Sequence, residues 1–220
     1  MTARGQRPRE EILAAAARAI ARDGYHGASM RDLARDTGRS LAGLYAHFRS
    51  KEEILLALQS DAFRALIEGA ERALAAERDP VRRMHAFVLN HVRQFEQHPD
   101  IMRVLILEAS TLPPARRAII RVLKEHYFRL GCDVLHVLVE FGCGAGGAGA
   151  IAGPDDEELE RVTYSFFGML NWIWGWYEPR RHGSAEQLAR TIERVALCGI
   201  AARCPHRTLV DEQLAAGGIS

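Results

Sequence analysis

Tyr45, His47, Arg49 and Lys51 fall within one turn-length stretch of this chain and carry its clearest chemistry. Each can donate to a phosphate oxygen, and they sit where one short element ends and the next begins. A basic arm, Arg4, Arg7 and Arg9, precedes them. Residues 1–51 hold ten Lys or Arg against five Asp or Glu, whereas residues 52–220 hold nineteen against twenty-three. The formal net charge of +1 therefore conceals a basic head on a mildly acidic body, a distribution suited to a polyanion. Arginine outnumbers lysine 27 to 2, which reads as codon bias rather than as phosphate chemistry.

Other chemistries lack residues to rest on. The nine histidines are scattered, and no Gly-x-Ser-x-Gly, His-Glu-x-x-His or paired-carboxylate arrangement occurs. No catalytic residue is assigned, and the chain is expected not to be an enzyme. Cys132, Cys143, Cys198 and Cys204 form no Cys-x-x-Cys pair, so no metal site and no disulfide framework is expected. That usage points to a reducing cytoplasm. The polar start, Met1 to Glu11, has no secretory apolar region. The uncharged run from Val162 to Tyr177 is short against the roughly 20 apolar residues of a membrane span. Gly142-x-Gly144-x-x-Gly147 matches a dinucleotide fingerprint only formally, because no strand precedes it and no βαβ unit surrounds it. The surrounding stretch, 142–153, reads as a glycine-rich surface loop.

The elements that would position these residues are helical throughout. Ile12, Leu13, Ala16, Ala19 and Ile20 mark a helix from Arg9 to Asp23, with Gly24 at its C-cap. Ser29 opens a short helix to Asp36, and Thr37-Gly38-Arg39 makes a tight turn. Ser40 caps a second short helix, Leu41 to Ala46. Ser50-Lys51-Glu52-Glu53 is a capping box opening a long helix to about Arg78. Helices follow from Pro80 to Gln97, Ile101 to Ser110 and Pro114 to Phe141. The next runs from the acidic start at 154–158 to Tyr177, where Glu178-Pro179 ends it. Ser184-x-x-Gln187 opens the last helix, to about Arg203.

Two short helices joined by a glycine-containing turn have helix-turn-helix grammar. Ala34 is small where the helices cross, and Leu33, Leu44 and Phe48 would bury against Ile12, Ala16 and Ile20. The second helix would then enter a DNA major groove. The hairpin alone would be ordinary. The local positive charge, the basic arm and the donors from Tyr45 to Lys51 favour a nucleic-acid role.

The run Glu11-Ile12-Leu13-Ala14-Ala15-Ala16, Gly24-Tyr25-His26-Gly27-Ala28-Ser29-Met30-Arg31-Asp32-Leu33-Ala34, Gly38-x-Ser40 and Leu44-Tyr45-x-His47-Phe48-x-Ser50-Lys51-Glu52-Glu53-Ile54-Leu55 resembles the TetR family of bacterial transcriptional regulators. The resemblance implies an all-α protein of about nine helices acting as a homodimer. Its three-helix head would bind a palindromic double-stranded operator, and its C-terminal domain a small hydrophobic effector. It places phosphate contacts on Ser29, Tyr45, His47 and Lys51 and the base-reading helix on Arg39 to Ala46. Where family members often carry polar residues after the capping Ser, this chain has Leu41, Ala42 and Gly43. Direct readout would then fall on Arg39, Ser40, Tyr45 and His47, with Leu41 and Ala42 available to thymine methyls.

A second resemblance covers residues 97–180. Gln97-His98-Pro99-Asp100, Leu112-Pro113-Pro114-x-Arg116-Arg117, Gly168-Met169-Leu170-Asn171-Trp172 and Trp176-Tyr177-x-Pro179 are similar to the branch that responds to acyl-coenzyme A thioesters. Phe63, Phe87, Phe95, Met102, Leu105, Tyr127 and Phe128, with Trp172 and Trp176 on one helix face, could line an apolar cavity. His91, Arg93, Arg121 and Lys124 could meet polar groups, and an inward Glu108 or Glu140 would instead favour a cationic ligand. For any one of these residues, ordinary core or solvated surface is the simpler reading. Gly168 and Gly175, with Leu188, Ile192, Val195 and Gly199, suit a dimer interface of packed helices.

The expected organisation is a DNA-binding domain at 1–50, a ligand-binding and dimerisation domain at 51–204 and a loosely held tail at 205–220. The expected function is a repressor released by an effector, an acyl-coenzyme A thioester with a long-chain or steroid-derived acyl group, with no resident cofactor and no membrane partner. Two rivals are an activator or ligand-independent DNA binder of the same fold, and a helical ligand-binding or hydrolytic protein.

Overall fold

The structure is a computed structural model that describes residues 3–144 and 155–201, with side chains for residues 8–138 and 155–196. Arg4, Arg7, Glu140, Cys143, Cys198, Gly199, Cys204, most of the glycine-rich loop and the tail lie outside the described side chains. Among the described residues there are ten α-helices and no strand. They are α1 (Ala3–Gly27), α2 (Met30–Asp36), α3 (Leu41–Tyr45), α4 (Lys51–Ala75), α5 (Pro80–Gln97), α6 (Pro99–Leu107), α7 (Pro114–Gly144), α8 (Asp156–Trp172), α9 (Pro179–His182) and α10 (Ala185–Ala201).

The chain forms two compact units. The first takes residues up to Ile67 together with Gln97–Tyr127, and the second takes Glu68–Glu96 with Phe128 onward. In the first unit α1 packs against α2 and α6. Ile12, Ala16, Leu33, Leu44 and Ile54 are wholly buried there, as the apolar spacing of α1 and the small Ala34 require. In the second unit α8 packs against α10. Phe87, Val88 and Leu170 are wholly buried, and Phe166 nearly so.

Helix α7 runs to Gly144, into the stretch expected to be loop from Gly142, α6 spans Pro99–Leu107 rather than Ile101–Ser110, and α4 ends at Ala75 rather than Arg78, while three further elements differ in kind. Helix α1 begins at Ala3 rather than Arg9 and carries Pro8 within it. It breaks at Gly24, whose φ of 74° only glycine adopts cheaply, but a further helical turn follows to Gly27. Helix α8 ends at Trp172 rather than Tyr177, and Ile173–Gly175 form one 3-10 turn. Trp172 and Trp176 therefore do not share an α-helical face. The four-residue α9, with Pro179 in its first turn, is the extra short helix that hydrophobic periodicity is too coarse to see.

Candidate nucleic-acid interface and candidate ligand site

The helix-turn-helix is fixed by local caps. The Ser29 Oγ accepts from the Asp32 N–H at 3.2 Å, and the Ser40 Oγ accepts from the Gly43 N–H at 3.0 Å. The turn between them needs Gly38, with φ at 64°, and closes through the Arg39 N–H to the Ala34 carbonyl at 2.9 Å. A Cβ at Gly43 would stand 3.2 Å from the Ser40 Oγ, so a small residue belongs there. The capping box at α4 is half as expected. The Glu53 N–H donates to the Ser50 Oγ at 3.1 Å, while the Glu53 carboxylate accepts from the Arg49 N–H at 2.7 Å.

Helix α3 buries Leu44 and turns its other side outward. Leu41 is 36% exposed and Tyr45 46% exposed. Ser29, Ser40, Ala42, His47 and Arg49 are also exposed, and Gly43 is half-buried. The structure thus leaves Ser40, Leu41, Ala42, Tyr45 and His47 exposed on and just beyond α3, with Ser29 exposed at the start of α2.

Three of the expected cations are engaged within the unit. The Arg39 guanidinium donates to Glu11 at 2.7 Å and is half-buried. Arg9 donates to Asp61 at 2.9 Å and lies 5.7 Å from the Phe48 ring centre. The Lys51 ammonium donates to the carbonyls of Tyr25 and of Ala28 (2.7 Å for the latter), and stands 4.3 Å above the Tyr25 ring. Burial pulls the Lys51 ammonium below the usual lysine range. Sequence spacing gave no sign of the partners Glu11, Tyr25 and Ala28, because each contact joins different helices.

The proposed ligand-lining residues divide between the units. Phe63, Met102, Leu105 and Tyr127 are buried in the first. In the second, Phe87, His91, Phe95 and Phe128 meet around Phe166 and Phe167, two rings the sequence reading did not single out. Phe87 lies 6.4 Å from Phe166 and 6.0 Å from Phe167, and Phe128 stacks on Phe167 at 5.6 Å. A Cβ on Gly131 would fall 2.7 Å from the Phe167 ring, so α7 and α8 approach closely there. His91 lies within this aromatic group, 5.3 Å from Phe95. Burial pushes its pKa down to about 3, partly countered by its bond to the Leu170 carbonyl.

Trp172 and Trp176 stand outside this group, 65% and 42% exposed. Arg93 pairs with Glu186 at 2.6 Å, Arg121 with Glu125 at 3.6 Å, and Lys124 is exposed. Glu108 does not enter the aromatic group. It belongs to the first unit and accepts from the Tyr25 N–H at 2.9 Å. Of the expected interface residues, Leu188 and Ile192 are buried inside the chain, Val195 is exposed, and Gly168 and Gly175 have open space where a Cβ would stand. Among the described residues no three His, Cys, Asp or Glu side chains gather as a metal needs. No helix among them is long and apolar enough to cross a membrane.

Comparison with known proteins accounts for this arrangement. The family model described as bacterial regulatory proteins, tetR family, matches residues 12–58. The tetracyclin repressor-like C-terminal domain matches residues 77–200, more than half of the chain. The HTH-type transcriptional repressor AcnR of Corynebacterium efficiens is 41% identical over 76 residues, 33% of this chain and 40% of AcnR. The match thus spans about two fifths of that relative's length. The crystal structure of the transcriptional regulator PfmR from Thermus thermophilus superposes with a TM-score of 0.73 at 30% identity, covering 84% of this chain and 96% of PfmR. AibR in complex with isovaleryl coenzyme A and operator DNA gives 0.73 at 25% identity, covering 86% and 97%. AcnR is a transcriptional repressor and PfmR a transcriptional regulator, and the chain belongs to the tetR family of bacterial regulatory proteins.

Proposed function

We propose that the chain is a homodimeric repressor that binds a palindromic operator and is released by an acyl-coenzyme A thioester. The observation that carries the effector class is the aromatic interior of the second unit. Phe87, Phe95, Phe128, Phe166, Phe167 and a neutral His91 form an interior without charge, the chemistry that an apolar acyl chain would need on opening it. Glu193, which is buried in that unit, is already matched by the His85 Nδ1 at 2.8 Å. A lipophilic cation would therefore find no spare buried carboxylate among these residues. AibR, the structural relative bound to an acyl thioester and to DNA, supports the same class.

The DNA half of the reading rests on the outward face of α3. Dimerisation is assigned to the exposed stripe Tyr164, Gly168 and Trp172 of α8, spaced at i, i+4 and i+8, together with the exposed Val195 of α10, the helix that packs against α8. Two such pairs would make a four-helix interface. In a dimer the two copies of α3 must lie about one helical turn apart, roughly 34–36 Å. Helix α4 runs from the first unit into the second and is the element assigned to carry the effector's signal. Coupling of that kind has a free energy of about 1–3 kcal/mol.

The test is a titration of the protein–operator complex with acyl-coenzyme A thioesters of graded length, beside free coenzyme A and a panel of lipophilic cations. Release by thioesters alone is the expected result. Release by the cations with silence from every thioester would overturn the effector assignment.

A further inference from the structure

Residues 24–29, the last turn of α1 beyond its kink and the link to α2, form a connector that charged groups hold from both ends. At its start the positive φ of Gly24 breaks α1. The Tyr25 N–H donates to the Glu108 Oε1 at 2.9 Å. The other Glu108 carboxylate oxygen accepts from the Thr111 hydroxyl. The Glu108 backbone carbonyl accepts from the Gln59 amide at 2.9 Å, and Gln59 is only 1% exposed. Glu108, just beyond the end of α6, is therefore fixed through both its side chain and its backbone.

At the connector's other end Lys51, the first residue of α4, donates to the carbonyls of Tyr25 and Ala28. The single helical turn from Tyr25 to Ala28 thus has an anion at its amide end and a cation at its carbonyl end, the arrangement its dipole favours. The Glu108 carboxylate also offsets part of the burial that lowers the Lys51 pKa. The next residue is Ser29, the N-cap of α2. Any displacement of the turn moves the point from which the whole helix-turn-helix is suspended.

We propose that Glu108 and Lys51 are positioning residues for DNA recognition, clamping the 24–29 connector and so fixing the register in which α3 meets the bases. Glu108 acts on sequence discrimination from outside the helix-turn-helix. The inference rests on the DNA-binding reading above. Base contacts need α3 in register, whereas binding to an unrelated duplex rests on the sequence-independent attraction between cations and phosphates. Loss of the clamp should therefore lower affinity for a selected duplex far more than for an unrelated one.

The experiment uses the full chain as wild type, Glu108→Ala and Glu108→Gln. Gln keeps an acceptor for the Tyr25 N–H and serves as the rescue. The probes are a duplex that the wild type selects from a randomised pool and an unrelated duplex of equal length. Amide exchange at Tyr25 and through Ser29–Asp36, together with the melting temperature, is followed in the free protein. Glu108→Ala should lose roughly tenfold in affinity for the selected duplex, the scale of one charged hydrogen bond. It should leave the unrelated duplex unaffected and speed exchange at Tyr25, and Glu108→Gln should restore both. Unchanged discrimination in a folded Glu108→Ala variant would overturn the proposal. So would equal losses on both duplexes that Gln does not rescue. A wild type that selects no duplex would refute the DNA-binding reading, and exchange at Tyr25 would then decide the clamp alone.

Discussion

Lowering the pH from 7 to 5 should weaken the fold, and His91 supplies a calculable part of the loss. Its ring is 2% exposed, beside Phe95 and Phe167 at 5.3 and 6.4 Å, and bonded to the Leu170 carbonyl. Burial lowers its pKa from 6.5 to about 3. Between those values the unfolded chain binds a proton that the folded chain refuses. Stability therefore falls as pH drops through 6.5 and continues to fall toward 3. At 1.36 kcal/mol for each unit, the loss between pH 7 and pH 5 is about 2 kcal/mol. For a chain of this length that is a drop of roughly 4–8 °C in melting temperature. The assay is urea unfolding at pH 7 and pH 5 of the wild type and of His91→Gln, which keeps an N–H for Leu170 but does not titrate. Carboxylates contribute alike to both proteins, so the difference isolates His91. The wild type should lose about 2 kcal/mol more than the variant over this range. Equal pH dependence in the two proteins would refute the neutral, buried histidine.

Three further outcomes follow from single positions. Gly38→Val, at φ 64°, should cost about 1–2 kcal/mol in chemical unfolding, and Gly38→Asn should cost less. Gly131→Ala would set a Cβ 2.7 Å from the Phe167 ring. It should lower stability by about 1–3 kcal/mol, with partial recovery when Phe167→Leu is added, both read by calorimetry. A Cβ at Gly168 meets nothing within 4 Å in its own chain, and Gly168→Arg sets a charged side chain on the face assigned to the dimer. It should leave the melting of the isolated chain nearly unchanged while sedimentation shows monomers, and a persistent dimer would place the interface elsewhere.

What the sequence made legible was local. Ser29, Ser40 and Ser184 cap their helices because a side-chain oxygen three residues from an orphan amide needs no tertiary help. The Ser184–Gln187 box closes in both directions, at 2.8 and 3.4 Å. Gly38 likewise announces its own turn. The end of α8 was not legible, because the run from Val162 to Tyr177 continues its apolar character past Trp172. The chain instead tightens into the 3-10 turn Ile173–Gly175 directly after Trp172, and Pro179, with Glu178 extended at φ −127° and ψ 114° before it, comes only later. The partners of Arg39, Lys51 and Glu108 were hidden for another reason. Tyr25 and Glu108 are 83 positions apart, and no periodicity joins them. Likewise, Phe166 and Phe167 sit in an apolar run that reads as core, and only the packing of α5, α7 and α8 reveals that they organise the aromatic group.

The most direct measurement for the central claim is selection of binding sites by the full chain from a randomised duplex pool, with affinity and stoichiometry then read against salt. A helix-turn-helix dimer should enrich an inverted repeat whose half-sites lie about one helical turn apart, roughly 10 base pairs. It should bind with two chains per duplex and weaken steeply as salt rises, because Arg49 and the other cations of the basic head displace counterions from phosphates. Enrichment of no sequence, together with binding that stays flat across salt, would contradict the account.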